Sequence, residues 1–185
     1  MYAEYDNETL KKLQKFELGI LADFVRVCEE NSLTYFGFAG TGIGALRHGG
    51  FIPWDDDIDV AMPRKDYQKL IDIFKKTMTD KYTVLTAEDY DDFPIMNTHI
   101  IINGSAFITS EEKKLRYPKG IFLDVFPLDN TYSDEKKLKK HAYKTWFLNK
   151  LLIIKHIPLP HLPYKGIVGF LCHCVTATAC CQCPN

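Results

Sequence analysis

The chain has 185 residues, 46% of them hydrophobic, and a formal net charge of −1. That is enough apolar material for one globular domain with its own core, and too even a charge balance to recruit nucleic acid or anionic lipid through an overall field. The opening Met1-Tyr2-Ala3-Glu4-Tyr5-Asp6 has no basic stretch followed by an apolar one, so it does not read as a secretory signal and the expected location is cytoplasmic.

In chain order, residues 7 to 30 read as a helix, because Leu10, Leu13, Ile20, Leu21, Phe24, Val25 and Cys28 recur at three- and four-residue steps behind Asp6 or Asn7 as cap. Leu33 to Ala39 reads as a strand. It runs into Gly40-Thr41-Gly42-Ile43-Gly44-Ala45-Leu46-Arg47, whose glycines predict a tight strand-to-helix turn. An acidic strand follows, then a helix from Pro63 to about Lys76 and a strand over Tyr82 to Thr86. Ile95 to Ile102 and Ala106 to Thr109 flank Asn103-Gly104 and are expected to pair as a hairpin. Gly120 to Pro127 reads as a buried strand, and Ser133 to about Ile154 as a helix with Ser133 at its cap. Pro158, Pro160 and Pro163 impose an extended linker before a last helix from Tyr164. Helices, parallel-capable strands and one hairpin make the fold class α/β (α+β). The expected division is a domain over 1–155 and a Pro-rich, Cys-rich segment over 156–185.

Five of the six cysteines, Cys172, Cys174, Cys180, Cys181 and Cys183, lie in that segment, without the spaced C-x2-C pairs of a zinc knuckle. Cys28 reads as a packed thiol. Gly166 to Cys183 carries no formally charged residue, and it reads as the start of a buried or interfacial helix.

The chemistry concentrates at Trp54-Asp55-Asp56-Asp57-Ile58-Asp59, four carboxylates within five positions. In an extended chain Asp57 and Asp59 share one face while Ile58 and Val60 face a core. Two carboxylates on one edge repel unless a cation lies between them, and hard oxygen ligands suit Mg²⁺ or Mn²⁺. A calcium loop is excluded because its sixth position, which requires glycine, is Val60. Asp124, a lone acid in the apolar Ile121 to Phe126, needs a partner, either a lysine or a shared cation. If its strand lies beside the Asp57/Asp59 strand, the three acids form one cage for phosphoryl chemistry. Gly40, Thr41 and Gly42 fit a phosphate approach at a helix N-terminus, although a plain chain reversal explains glycines as well.

Gly40 to Tyr67 and Phe122-Leu123-Asp124-Val125-Phe126-Pro127-Leu128-Asp129 together resemble the LicD family of the nucleotidyltransferase superfamily, which includes bacterial phosphocholine transferases and the fukutin-related proteins. The resemblance implies a nucleotidyltransferase-like mixed β-sheet flanked by helices and two Mg²⁺ ions. It also implies a CDP-alcohol donor such as CDP-choline, whose phosphocholine is moved to a hydroxyl of a cell-surface glycan or teichoic-acid precursor, releasing CMP. A lipid-linked acceptor would bring the protein to the inner face of the cell membrane as a peripheral associate. On this analogy Asp57 and Asp59 bridge the metals and bind the donor diphosphate, and Asp124 holds the metal nearest the acceptor and takes its proton. Arg47 and His48 become candidates for donor phosphates, against the plain reading of exposed helix-end residues. Asp55 and Asp56 would orient the loop or supplement the metals. Trp54 is expected in core packing, and Tyr117, Tyr132 and Phe126 are equal candidates for a choline cage. Two other readings are a nucleotidyltransferase that releases pyrophosphate and a non-catalytic metal- or nucleotide-binding domain.

Overall fold

In a computed structural model, residues 6–93, 95–108, 113 and 115–156 are described, the last five of them by backbone alone. The proline linker, the final helix and the cysteine-rich segment expected from the sequence lie outside the described residues.

The first helix, α1 (Asn7–Glu30), starts where the Asp6 carboxylate accepts from the backbone N–H groups of Glu8 at 3.0 Å and Thr9 at 2.9 Å. Its buried stripe is Leu10, Leu13, Glu17, Ile20, Phe24, Val27 and Cys28. Then follow β1 (Phe36–Gly37), α2 (Ala39–His48), β2 (Asp59–Pro63), α3 (Arg64–Thr77), β3 (Tyr82–Leu85), β4 (Thr98–Ile102), β5 (Phe122–Leu128) and α4 (Glu135–His156). The sheet runs β1-β2-β5-β4-β3, with β2 and β5 parallel and the other neighbours antiparallel. This is the mixed sheet with helices that the sequence led us to expect.

Contacts group the described residues up to 86, 97–108 and 118–129 into one compact unit, and 87–93, 95–96, 113, 115–117 and 130–156 into a second. The first unit holds the sheet and its core. Ile20, Phe24, Val27 and Cys28 of α1 and Tyr67, Leu70 and Phe74 of α3 cluster with Val60, Met62, Leu123, Val125, Ile100 and Val84 from the strands. Each fully buried phenylalanine or leucine contributes about 1.5–3 kcal/mol of transfer free energy. Cys28 is a packed thiol, and burial pushes it up to about 12, far from nucleophilic use. In the second unit, Phe93 meets Tyr117 edge-on at 5.2 Å, and α4 begins behind Asp134, whose carboxylate accepts from Lys137 N–H at 2.8 Å.

The structure corrects several sequence expectations. The hairpin over Asn103-Gly104 does not form: β4 already has β5 on one side and β3 on the other, which leaves no edge for 106–108. Gly104 still makes a turn, at φ +76°, but Ser105 then donates to the Ile102 carbonyl and accepts from Ile121 N–H, leading the chain away from the sheet. The strand expected over 33–39 shrinks to Phe36–Gly37. Helix α4 is capped by Asp134 rather than Ser133, since the Asp134 carboxylate accepts from the first-turn N–H of Lys137. Trp54 is 76% exposed, not part of the core.

Candidate metal centre

Register builds the site. Parallel pairing places Asp59 opposite Asp124, and antiparallel pairing places Asp124 opposite His99, so these three side chains line one row across β2, β5 and β4. The pleat sends their neighbours Val60, Val125 and Ile100 to the other face, where they enter the core. Asp57 precedes β2 by two positions and shares the parity of Asp59, with buried Ile58 between them. Asp57, Asp59 and Asp124 each offer a carboxylate oxygen, and these oxygens lie within 4.8 Å of one another.

The acids are held under strain of charge. Burial, followed by the charges of Asp57, Asp124 and Asp55, pushes Asp59 up to about 7, and burial followed by Asp55, Asp56 and Asp124 pushes Asp57 up to about 6. Asp55 is raised by burial and by Asp56. Three half-buried carboxylates with oxygens within 4.8 Å of one another could serve as a hard-oxygen donor set for Mg²⁺ or Mn²⁺, and a divalent cation would offset both the burial and the mutual repulsion that raise Asp57 and Asp59.

Asp124 does have a protein partner, though not a lysine. Its Oδ1 accepts from Asn97 Nδ2 at 2.6 Å and lies 2.7 Å from His99 Nε2. The His99 ring stacks on Phe122, with centroids 4.2 Å apart and planes within 2°. Asn97 and His99 thereby fix the orientation of Asp124, as outer partners of a metal-binding carboxylate do.

The candidate phosphate-binding residues divide. Gly40, Thr41 and Gly42 lie in the first turns of α2, and Thr41 Oγ1 accepts from Asp59 N–H at 2.8 Å, which ties that turn to the acidic strand. The glycines also serve close packing. A Cβ on Gly40 would meet Asp55 Oδ2 at 2.6 Å, and one on Gly42 would meet the Gly37 carbonyl at 3.0 Å. Ala39, the first residue of α2, has φ +42°, a left-handed conformation that costs a non-glycine residue about 1–2 kcal/mol. Arg47 and His48 are exposed at the opposite end of the helix, roughly 9 Å or more along its axis from Thr41. The fold does not bring them to the three aspartates by way of α2's N-terminus. Phe126 packs on Phe38 at 5.2 Å, while Tyr117 and Tyr132 belong to the second unit, Tyr132 edge-on to His141.

Three residues of this site were not singled out from sequence. His99 and Asn97 sit in a segment read only for its hairpin. Glu17 of α1 is 3% exposed, and burial, then the charges of Asp57, Asp56, Asp55 and Asp124, push its carboxyl up to about 9. One signal could have found it: Glu17 occupies the stripe position between Leu13 and Ile20 where the helical repeat calls for an apolar residue.

A mixed sheet with paired acids at the end of one strand and a third acid on its parallel neighbour defines a nucleotidyltransferase-type domain. The sequence profile described as "LicD/FKTN/FKRP, nucleotidyltransferase domain" matches residues 32–166, and the chain belongs to this family. It is 47% identical over 81 residues to the lipopolysaccharide cholinephosphotransferase LicD of Haemophilus influenzae, a match that covers 44% of this chain and 31% of that protein. An uncharacterised protein of Rickettsia prowazekii is 28% identical over 134 residues, covering 72% of this chain and 48% of the relative. Another from Rickettsia typhi is 33% identical over 69 residues, covering 36% and 22%. The chain thus spans less than half the length of each of these relatives. Among the described residues no helix is long and apolar enough to cross a membrane.

Proposed function

We propose that the chain carries the catalytic domain of a metal-dependent phosphotransferase that moves a phospho-alcohol group, phosphocholine first among candidates, from a CDP-alcohol to a hydroxyl of a cell-surface glycan precursor. The observation that carries this reading is the register of Asp59 with Asp124, which together with Asp57 gathers three carboxylates within 4.8 Å. The likeness to a cholinephosphotransferase over 81 residues supports the choice of group.

Asp57, Asp59 and Asp124 would hold Mg²⁺ or Mn²⁺, which when bound neutralises charge on the donor diphosphate. Asn97 and His99 keep Asp124 oriented, so that its remaining acceptor capacity serves the acceptor hydroxyl and its proton. The Thr41 hydroxyl already accepts from Asp59 N–H, which leaves its own hydrogen to donate to a phosphate oxygen. The first-turn N–H groups of α2 add to that anion site. An acceptor carried on a lipid would place the domain at the cytoplasmic face of the membrane.

Incubation with Mg²⁺, CDP-choline and a glycan acceptor should release CMP, and Asp57→Asn or Asp124→Asn should lower the rate by about 10²–10³-fold or more. The family's nucleotidyltransferase description favours a second reading, in which the nucleotidyl group itself is transferred. Pyrophosphate from CTP, with no CMP from any CDP-alcohol, would establish that alternative. Metal binding without either product would leave a non-catalytic domain.

A further inference from the structure

Glu17 is a buried carboxyl group that the reaction outlined above does not use. Its Oε2 is buried without a hydrogen-bond partner, the one such side-chain atom among the described residues. A buried carboxyl oxygen left this way costs about 1–3 kcal/mol, so a helix would be expected to carry leucine or methionine at that position unless something else uses the oxygen. Gln14, one turn earlier on the same face of α1, donates from Nε2 to the Asp55 carbonyl at 2.8 Å, and this contact ties the face to the acidic loop. The acids of that loop and site, Asp57, Asp56, Asp55 and Asp124, are the charges felt at Glu17 after burial.

Glu17 is not one of the three residues whose oxygens converge within 4.8 Å. It is therefore not grouped with them as a direct ligand. A hydrated Mg²⁺ or Mn²⁺ keeps several waters, and each is a strong donor seeking an acceptor. We propose that Glu17 is a fourth acidic member of the cation site, accepting through Oε2 a hydrogen bond from a water carried by the divalent ion and thereby positioning that water and the Asp55–Asp57 loop. This rests on the cation-binding reading of the aspartates. It makes Glu17 a positioning residue for the metal, acting through a water where Asn97 and His99 act through the Asp124 carboxylate. Partners of this kind typically govern 10–100-fold in metal affinity.

The test is Mn²⁺ binding by the full chain at pH 7.5, read by calorimetry and by the water-proton relaxivity of the bound ion. The wild type, Glu17→Gln, Asp56→Asn and Asp59→Asn would be compared. Glu17→Gln keeps the shape and removes the buried acid, so the metal-free variant should melt no lower than wild type. Its Mn²⁺ affinity should fall 10–100-fold, with faster exchange of the bound water. A Glu17→Gln affinity within threefold of wild type, or a loss no larger than that of Asp56→Asn, would reduce Glu17 to background charge and overturn the proposal. Wild type that binds Mn²⁺ no better than Asp59→Asn would instead overturn the cation site itself, and the proposal with it.

Discussion

Helix α1 carries two acids less than two turns apart that meet opposite treatment. Burial works against the Asp23 carboxylate, but Lys81 Nζ at 2.5 Å, Tyr82 Oη at 2.7 Å and Arg26 outweigh it and hold Asp23 below its ordinary range. Glu17 is buried beside further acids, has an unpartnered oxygen and is pushed up to about 9. The same contrast separates Asp129, held low by paired hydrogen bonds from Arg64, from Asp57 and Asp59. Where an acid serves the fold, the chain supplies its base. Where β2 pairs with β5 the chain instead gathers carboxylates and raises Asp57 and Asp59, which is the expected arrangement when the counter-charge comes from outside.

That comparison can be broken most forcefully at Asp59. In metal-free protein the folded pKa values of Asp57 and Asp59, about 6 and 7, exceed the unfolded carboxylate value near 4. The folded state then binds more protons between those limits, so this stability is complete below about pH 4 and is lost as pH rises towards 7. Asp59→Asn should flatten the fall when melting temperature is followed in EDTA. Mg²⁺ competes with the same protons, so its stabilising effect on wild type should grow as pH passes through 6 and 7. A melting profile unchanged by Asp59→Asn would show that the acids are not in conflict.

On the other side of the comparison, Asp23→Asn should destabilise the fold by about 1–2 kcal/mol in denaturant titration, through weakened bonds to Lys81 and Tyr82. It should leave Mn²⁺ affinity unchanged, and any large loss of metal binding would blur the division between structural and site acids. The smallest effect is expected at Ala39, where φ +42° suits glycine. Ala39→Gly should stabilise by up to about 1 kcal/mol, the relief of the left-handed strain less the added chain entropy of glycine. Destabilisation there would mean that the Ala39 methyl makes contacts worth more than the strain.

The parts of this picture legible in the sequence are those where chemistry interrupts a period. Asp57 and Asp59 alternate with buried Ile58 and Val60, and Asp124 breaks an apolar run, so both strands and their shared face could be read. Helices α1 and α3 followed from apolar spacing and fell within a residue or so of expectation. His99 was not legible, because a histidine between Thr98 and Ile100 acquires meaning only through its pairing with Asp124, a contact of 25 positions' separation. The pairing of β4 was misread for a related reason: Asn103-Gly104 signals a turn but not which strand lies beyond it, and long-range partners had already filled both edges. Glycines 40, 42 and 44 signal a turn in the sequence, whereas they lie inside α2, where the Gly50 carbonyl excludes a Cβ at Gly44 and Asp55 and Gly37 press closely on Gly40 and Gly42.

The most direct test of the central proposal, that the three aspartates bind a divalent cation together with a diphosphate donor, is thermal melting of the full chain with CDP-choline, with and without Mg²⁺, beside Asp57→Asn. The account predicts a rise in wild-type melting temperature that requires both Mg²⁺ and the nucleotide and is absent from the variant, because ligation of the folded state alone must stabilise it. No rise in wild-type melting temperature with Mg²⁺ and CDP-choline together, or an equal rise in Asp57→Asn, would contradict it.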